Sequence, residues 1–365
     1  MPRTARIALI TAGLTVLAAA GLDLGLRFLL PQGYRATYAS GSGWAVPDSV
    51  LGCVPAPGTD ARVECPEFSF RFRISRQGFR DRVLHTPGAH PDSLRVLLVG
   101  DSFTFGAGNE YEEIWPVRFE ARLREVRPDA DVVKAGVLGY DTRTEVLYLE
   151  RLLPVYRPDV VVLGFLPNDL FTNRPLDAAE PATTGGASIL QTIRGLQMGR
   201  LASRILLGID PLYERIYLMT PRRQYYRTPW PPHAADQAAV TRALLRRAHE
   251  LCRSYGAAFL VLSIPQEFQV LAAGRGDRWD GIDPVRIDTA MGAFAEAEGF
   301  PWIPTLPALA AAYRDHGPRL YYRSDGHLAP AGNRQVAEVV FREFMARYPE
   351  IAGAEGAEAG GPPPQ

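Results

Sequence analysis

The sequence predicts an open α/β sheet, mainly parallel and doubly wound, on three observations. Four short runs, at residues 95–99, 132–133, 160–163 and 258–262, are continuously rich in Val and Leu rather than alternating, which suits strands buried on both faces. Apolar residues at helical spacing fill the intervals, at 114–126, 144–156, 236–255 and 284–298, and again at 332–348. No internal repeat interrupts the series. Strand–helix alternation puts helices on both faces of the sheet, and such sheets gather their ligand sites outside the carboxyl ends of the strands. The residues directly after each strand are therefore the first candidates for chemistry.

Ahead of that core, Arg3 and Arg6 precede an uncharged apolar run from Ile7 to Leu22; Asp23 and Arg27 follow, with further apolar residues to Leu30. A basic start and an apolar run form the pattern of a signal peptide or a signal anchor. Apolar character that resumes after Asp23 points to an anchor that is kept, whereas Ala18-Ala19-Ala20 fits cleavage. Residues 1–30 are expected to be this leader, with the remainder periplasmic or at the cell surface, and secreted if the leader is removed. Residues 31–93 read as a linker and a small β-containing segment packed against the sheet. There Phe68-Ser-Phe-Arg-Phe-Arg-Ile74 alternates with period two, and Gln77-Gly78 marks a hairpin turn. The main domain is expected over 94–350. Its insertion at about 170–235 has the length of segments that cover active sites. Residues 351–365, rich in Gly, Ala, Pro and Glu, read as a disordered tail.

Composition narrows the function. Of 365 residues, 47% are hydrophobic and 22% charged, which excludes a wholly disordered chain. Forty basic side chains balance forty acidic ones, so there is no broad positive footprint for nucleic acid. The three cysteines lack metal-site spacing, and neither a metal nor a cofactor is expected. Cys53 and Cys65 lie twelve positions apart, and outside the cytoplasm they could pair or remain two thiols. Cys252 falls in a helical pattern and reads as core.

Four segments carry the chemistry. Gly100-Asp101-Ser102 follows the first core strand, which presents the Ser102 hydroxyl at the active edge. It is neither a phosphate loop nor a Gly-x-Ser-x-Gly elbow. Ala135-Gly136-Val137-Leu138-Gly139 follows the second strand, and Gly164-Phe165-Leu166-Pro167-Asn168-Asp169 the third. Ser324-Asp325-Gly326-His327 stands near the end. Acyl transfer by serine needs a base, a carboxylate to orient it, and donors for the oxyanion; the four segments supply all of these. Asp101 reads as a hydrogen-bonding residue of its turn, and the other histidines, His85 among them, as background.

This ordered set resembles the SGNH (GDSL-type) hydrolase superfamily from about residue 93 to about residue 347. The motifs align it with a branch of membrane-associated members, and the resemblance implies a three-layer, flavodoxin-like domain. It implies Ser102 as nucleophile, His327 as base and then acid, and Asp325 as the residue that orients His327. The N–H groups of Ser102 and Gly139 and the amide of Asn168 would form the oxyanion hole. Asp325 and His327 are separated by Gly326 alone, where many members have two residues. Lys134 stands where the second block commonly begins with Asn, which predicts a lost loop hydrogen bond. Residues 74–81 resemble a segment upstream of the catalytic block in membrane-tethered members; Arg80 there reads as a structural pair.

The resemblance implies a serine esterase that removes acyl groups, often acetyl, from an extracytoplasmic glycan or lipid. An O-acyltransferase, or a catalytically idle envelope protein that binds glycan or a partner in the same cleft, is open at this point. A nucleotide-binding domain lacks its glycine-rich fingerprint. Tyr225, Tyr226 and Trp230 in the insertion, with Tyr111 and Trp115, are read as lid core or as sugar-stacking rings.

Overall fold

The computed structural model describes residues 35–38, 43–88, 93–177, 206–315 and 319–349, with scattered positions between 4 and 25. Among the described residues no helix is long and apolar enough to cross a membrane. Most of the expected leader, residues 178–205 of the insertion and the whole 351–365 tail lie outside them.

The chain begins with short strands β1 (Arg35–Tyr38), β2 (Ala45–Asp48), β3 (Gly52–Pro55), β4 (Asp60–Glu64) and β5 (Ser69–Arg73). β2 and β3 form a ribbon, and β1, β4 and β5 an antiparallel sheet in the order β1-β4-β5. The expected alternation in β5 is present, because Phe70 and Phe72 are buried while Ser69, Arg71 and Arg73 are exposed. Gln77-Gly78 does sit in a turn, closed by the Gly78 N–H on the Ser75 carbonyl at 3.0 Å. It is not a hairpin, because no strand returns; the chain goes on to bury Arg80 and Asp81.

The core follows with β6 (Arg95–Gly100), α1 (Ser102–Phe105), α2 (Trp115–Val126), β7 (Asp131–Gly136), α3 (Thr142–Tyr156) and β8 (Val160–Phe165). Next come α4 (Asp169–Thr172), α5 (Asp210–Leu218), α6 (Pro232–Ser254), β9 (Ala258–Ser263) and α7 (Glu267–Arg275). α8 (Arg286–Glu298), β10 (Trp302–Pro304), α9 (Leu306–Arg314) and α10 (Pro330–Arg347) close the domain. The five core strands are parallel in the order β10-β9-β8-β6-β7. The chain leaves β6 for β7 on one side and then crosses to β8 on the other, so the crevice of this sheet opens above the end of β6.

Every position of β6 and β8 is buried, and their residues divide between two cores. Leu97, Val99, Val161 and Leu163 face α3, α6 and α8, whereas Val96, Leu98, Val160 and Val162 face α2, α9 and α10. That two-sided burial is why the strands read as unbroken apolar runs. β10 and α9 were not evident in the sequence. A three-residue edge strand ending in Pro304 is too short to show a period.

The structure decides one alternative that the sequence left open and overturns one expectation. Cys53 and Cys65 are both free: Cys53 lies in the β2–β3 ribbon, while Cys65 follows β4 in the other small sheet. Lys134 does not mark a lost hydrogen bond. Its ammonium is buried in β7 and sits 2.8 Å from Asp81 and 2.7 Å from Glu120. Asp81 also accepts from Tyr111 at 2.7 Å and contacts His85 at 3.1 Å, and His85 contacts Asp131 at 2.6 Å. Burial opposes the charge on Asp81, but the hydrogen bonds from His85 and Lys134 hold it well below the usual carboxylate range. His85, read as background, is thus part of a buried ion network that fastens the upstream segment to β7 and α2. Replacing one member leaves uncompensated buried charge, so Lys134→Met is expected to cost about 3–5 kcal/mol, read as a lower urea midpoint. An unchanged midpoint would show the network to be energetically neutral.

Candidate active site

Ser102 opens a helix of four residues that lies across the ends of three strands. Gly100, Gly136 and Gly164 stand in register on β6, β7 and β8. A Cβ on Gly100 would come within 2.0 Å of Thr104 Oγ1, one on Gly164 within 2.4 Å of the same atom, and one on Gly136 within 2.3 Å of the Phe105 nitrogen. Only this row of bare Cα atoms lets α1 settle onto the sheet. Asp101 caps the helix, its carboxylate accepting the Phe103 N–H at 2.8 Å, as its reading as a turn residue requires. At the other end Arg80, fully buried, donates to the carbonyls of Phe105 at 2.8 Å, Gly106 at 2.9 Å and Asn109 at 2.6 Å. Arg80 is therefore structural, as expected, and what it holds is the helix that bears Ser102.

His327 lies 225 residues further on, yet its Nε2 is 2.8 Å from Ser102 Oγ. Its Nδ1 is hydrogen-bonded to Asp325 Oδ1. The shortened Asp-Gly-His spacing works because Gly326, at φ +90°, turns the chain between carboxylate and ring. Two further contacts fix this loop. The Asn109 side chain, on the Ser102 side, donates to the Leu328 carbonyl at 2.8 Å. Glu67, from the upstream segment, accepts the backbone N–H groups of Ser324 at 2.8 Å and Asp325 at 3.1 Å. Glu67 and Asn109 were missed in the sequence, where no motif distinguishes them; their partners come from distant loops.

Asn168 joins Ser102, Asp325 and His327 on the wall of one cavity of about 180 Å³. Its Oδ1 is buried without a hydrogen bond, and among the described residues nothing accepts from its amide nitrogen, which leaves those donors for a ligand. Leu166, two residues before it, lines the same cavity. Gly139 lies in the turn after β7 at φ +80° and is not among the lining residues of this cavity. The insertion does cover the site, but with Tyr213, Tyr217 and Arg222. The first two sit on one face of α5 at i, i+4 spacing, the one signal that could have singled them out. Tyr225, Tyr226 and Trp115 are buried, and Tyr111 is spent on Asp81, so none of these is an open sugar platform. Trp230 donates its indole N–H to the Tyr225 carbonyl at 2.6 Å, as lid core.

A family model for GDSL-like lipases and acylhydrolases matches residues 98–335. The chain belongs to that family. It is therefore an enzyme of ester hydrolysis, with a mainly parallel α/β core. Among solved structures it is similar to a lipolytic G-D-S-L family protein from Veillonella parvula at 14% identity and TM-score 0.41, covering 69% of this chain and 99% of that one. It is similar to TesA at 19% identity and TM-score 0.41, with 69% and 98% covered. Axe2, an acetylxylan esterase from Geobacillus stearothermophilus, matches at 14% identity and TM-score 0.41, with 68% and 93% covered. A comparison with curated proteins gives no match.

Three buried carboxyl groups flank the site of this esterase. Burial pushes Asp101 up to about 6. Glu145 is wholly buried with neither oxygen hydrogen-bonded among the described residues, and burial, then the charges of Asp169 and Asp101, hold it well above its ordinary value. Asp169, raised for the same reasons, accepts the Thr142 hydroxyl at 2.7 Å. Burial thus disfavours negative charge on Glu145 and Asp169 in this part of the interior. A carboxyl whose pKa rises on folding holds a proton that the unfolded chain, at its ordinary 4.5, has already released. Stability is then lost as pH climbs. Thermal denaturation between about pH 5 and pH 9 is expected to show wild type losing stability relative to Glu145→Gln as pH rises. A difference independent of pH would mean that Glu145 is ionised in the native protein.

Proposed function

We propose that the enzyme is a serine esterase that removes small acyl groups, acetyl among them, through an acyl-enzyme on Ser102. The observation that carries this reading is the continuous hydrogen-bonded run from Asp325 through His327 to Ser102 Oγ. In that geometry His327 Nε2 takes the hydroxyl proton as Ser102 attacks the ester carbonyl. Asp325 at Nδ1 fixes the tautomer and stabilises the imidazolium that forms. The unengaged amide of Asn168, with the N–H group of Ser102, meets the developing oxyanion. Collapse returns the proton from His327 to the departing alcohol, and a water activated by His327 then releases the acyl group. A cavity of about 180 Å³ suits a short acyl chain.

The finer reading places the substrate on a glycan or lipid outside the cytoplasm. It rests on Arg3 and Arg6 ahead of the uncharged run from Ile7 to Leu22. Protease added to spheroplasts is expected to degrade the domain while sparing cytoplasmic markers; protection until the cells are lysed would refute this placement.

Catalysis is tested by labelling with a fluorophosphonate and by turnover of p-nitrophenyl acetate. Ser102→Ala should abolish labelling, and Ser102→Ala and His327→Ala should each lower kcat by roughly three to six powers of ten. Asp325→Asn should lower kcat by roughly two to four powers of ten without abolishing labelling. Turnover by Ser102→Ala equal to wild type would overturn the assignment.

A further inference from the structure

A second cavity, of about 580 Å³, adjoins the one at Ser102 and is more than large enough for a sugar-sized group. It lies between α5, α7, α9 and the segment from Arg319 to Arg323, and Glu267 lines both cavities. The partition is thin. Arg323 lies two residues before Asp325, and its guanidinium is 4.9 Å from the ring of Tyr213, which itself lines the first cavity. The floor is apolar, from Val270, Leu271, Leu320 and the ring of Tyr321, while four arginines and two carboxylates supply the charge.

The charges do not cancel. Asp210 is taken up by Arg323 and by the Tyr313 hydroxyl at 2.6 Å. Glu267 faces Arg323 Nε at 3.3 Å. Arg275 pairs with Asp277 at 3.0 Å and more distantly with Glu214 at 3.6 Å, both acids standing outside the cavity lining. Among the described residues Arg314 and Arg319 have neither an ion pair nor a hydrogen bond, and Arg323 Nη1, in a side chain only 8% exposed, donates to nothing. Two guanidinium groups without a direct ion pair among the described residues, of which Arg319 lies within electrostatic reach of Glu267, and a third with an idle buried donor thus surround a space next to the reacting serine. Forked guanidinium donors match the planar or tetrahedral oxygens of an anion.

We propose that this cavity is the subsite for an anionic group, a carboxylate or a phosphate, carried on the alcohol portion of the ester, with Arg314 and Arg319 as its principal ligands. The inference rests on the esterase reading of Ser102 for its placement: the short acyl group fills the small cavity, and the larger alcohol extends past Glu267 into the second. It names a substrate class that the catalytic residues alone do not, an ester of an acidic sugar or of a phosphorylated alcohol.

The test compares kcat/KM on acetylated methyl glucuronide and acetylated glucose 6-phosphate with that on acetylated methyl glucoside, which lacks the charge. Wild type is expected to favour an anionic ester by roughly ten- to a hundredfold, less at high salt, and whichever anion is preferred separates carboxylate from phosphate. In Arg314→Gln/Arg319→Gln the ratio should fall towards one. A ratio near one in wild type, or one that survives in the double variant, would overturn the subsite. Failure of wild type on p-nitrophenyl acetate would instead count against the esterase reading. Calorimetric titration with methyl glucuronide and with glucose 6-phosphate then decides the subsite independently of turnover. Binding lost in the double variant supports it; no binding, or equal binding by both proteins, refutes it.

Discussion

A helix of four residues has to lie flush on the ends of three parallel strands, and the rest of the site depends on that contact. Each strand offers a glycine at the same level, and any side chain there would collide with Thr104 or with the backbone at Phe105. With the row clear, Ser102 emerges above the end of β6, where the strand order reverses and the loops of the sheet converge. So short a helix has little stability of its own, since forming one turn fixes several residues for few hydrogen bonds. Its position is therefore set from outside, by the Asp101 cap at one end and by Arg80 on the last carbonyls at the other.

The segment before the core gains its importance from this. It supplies Arg80 to the helix of Ser102 and Glu67 to the loop of Asp325, so both halves of the hydrogen-bonded run lean on it. Phe72 packs edge-on against Phe105 at 5.3 Å, and Phe68 against Tyr322 at 4.7 Å, which places the small sheet between the two loops. The buried network of Asp81, His85, Lys134 and Glu120 then ties the segment to the sheet. Such a network contributes less to net stability than to a single arrangement, because every alternative packing strands a charge in the interior.

The polar groups near Ser102 divide by whether they are paired. Those that hold backbone, such as Asp101, Glu67 and the amide N–H groups of Asn109, have their hydrogen bonds made within the protein. Among the described residues the Asn168 amide and the guanidinium groups of Arg314 and Arg319 do not. Unpaired donors at the wall of a cavity await a ligand, whereas burial of an unpaired acid in the interior, such as Glu145, disfavours its charged form.

The sequence by itself determined the sheet and the order of the chemistry. Strands buried on both faces must be apolar throughout, so β6, β8 and β9 were legible, and the loops that follow them contained Ser102 and Asn168. Asp325 and His327 were legible too, because residues two apart on one loop can share a hydrogen bond without help from the fold. The roles of Lys134 and His85, the supports Arg80 and Glu67, and the second cavity were decided only by the tertiary structure. Each of these depends at least in part on partners distant in the chain, Lys134 on Asp81 53 positions away and Glu67 on Asp325 258 positions away, and no local pattern records which distant loop will stop beside a given side chain. Charge shows the same limit: an arginine reads alike in sequence whether it is buried against carbonyls, paired at the surface, or left facing an open cavity, because only packing decides what surrounds it.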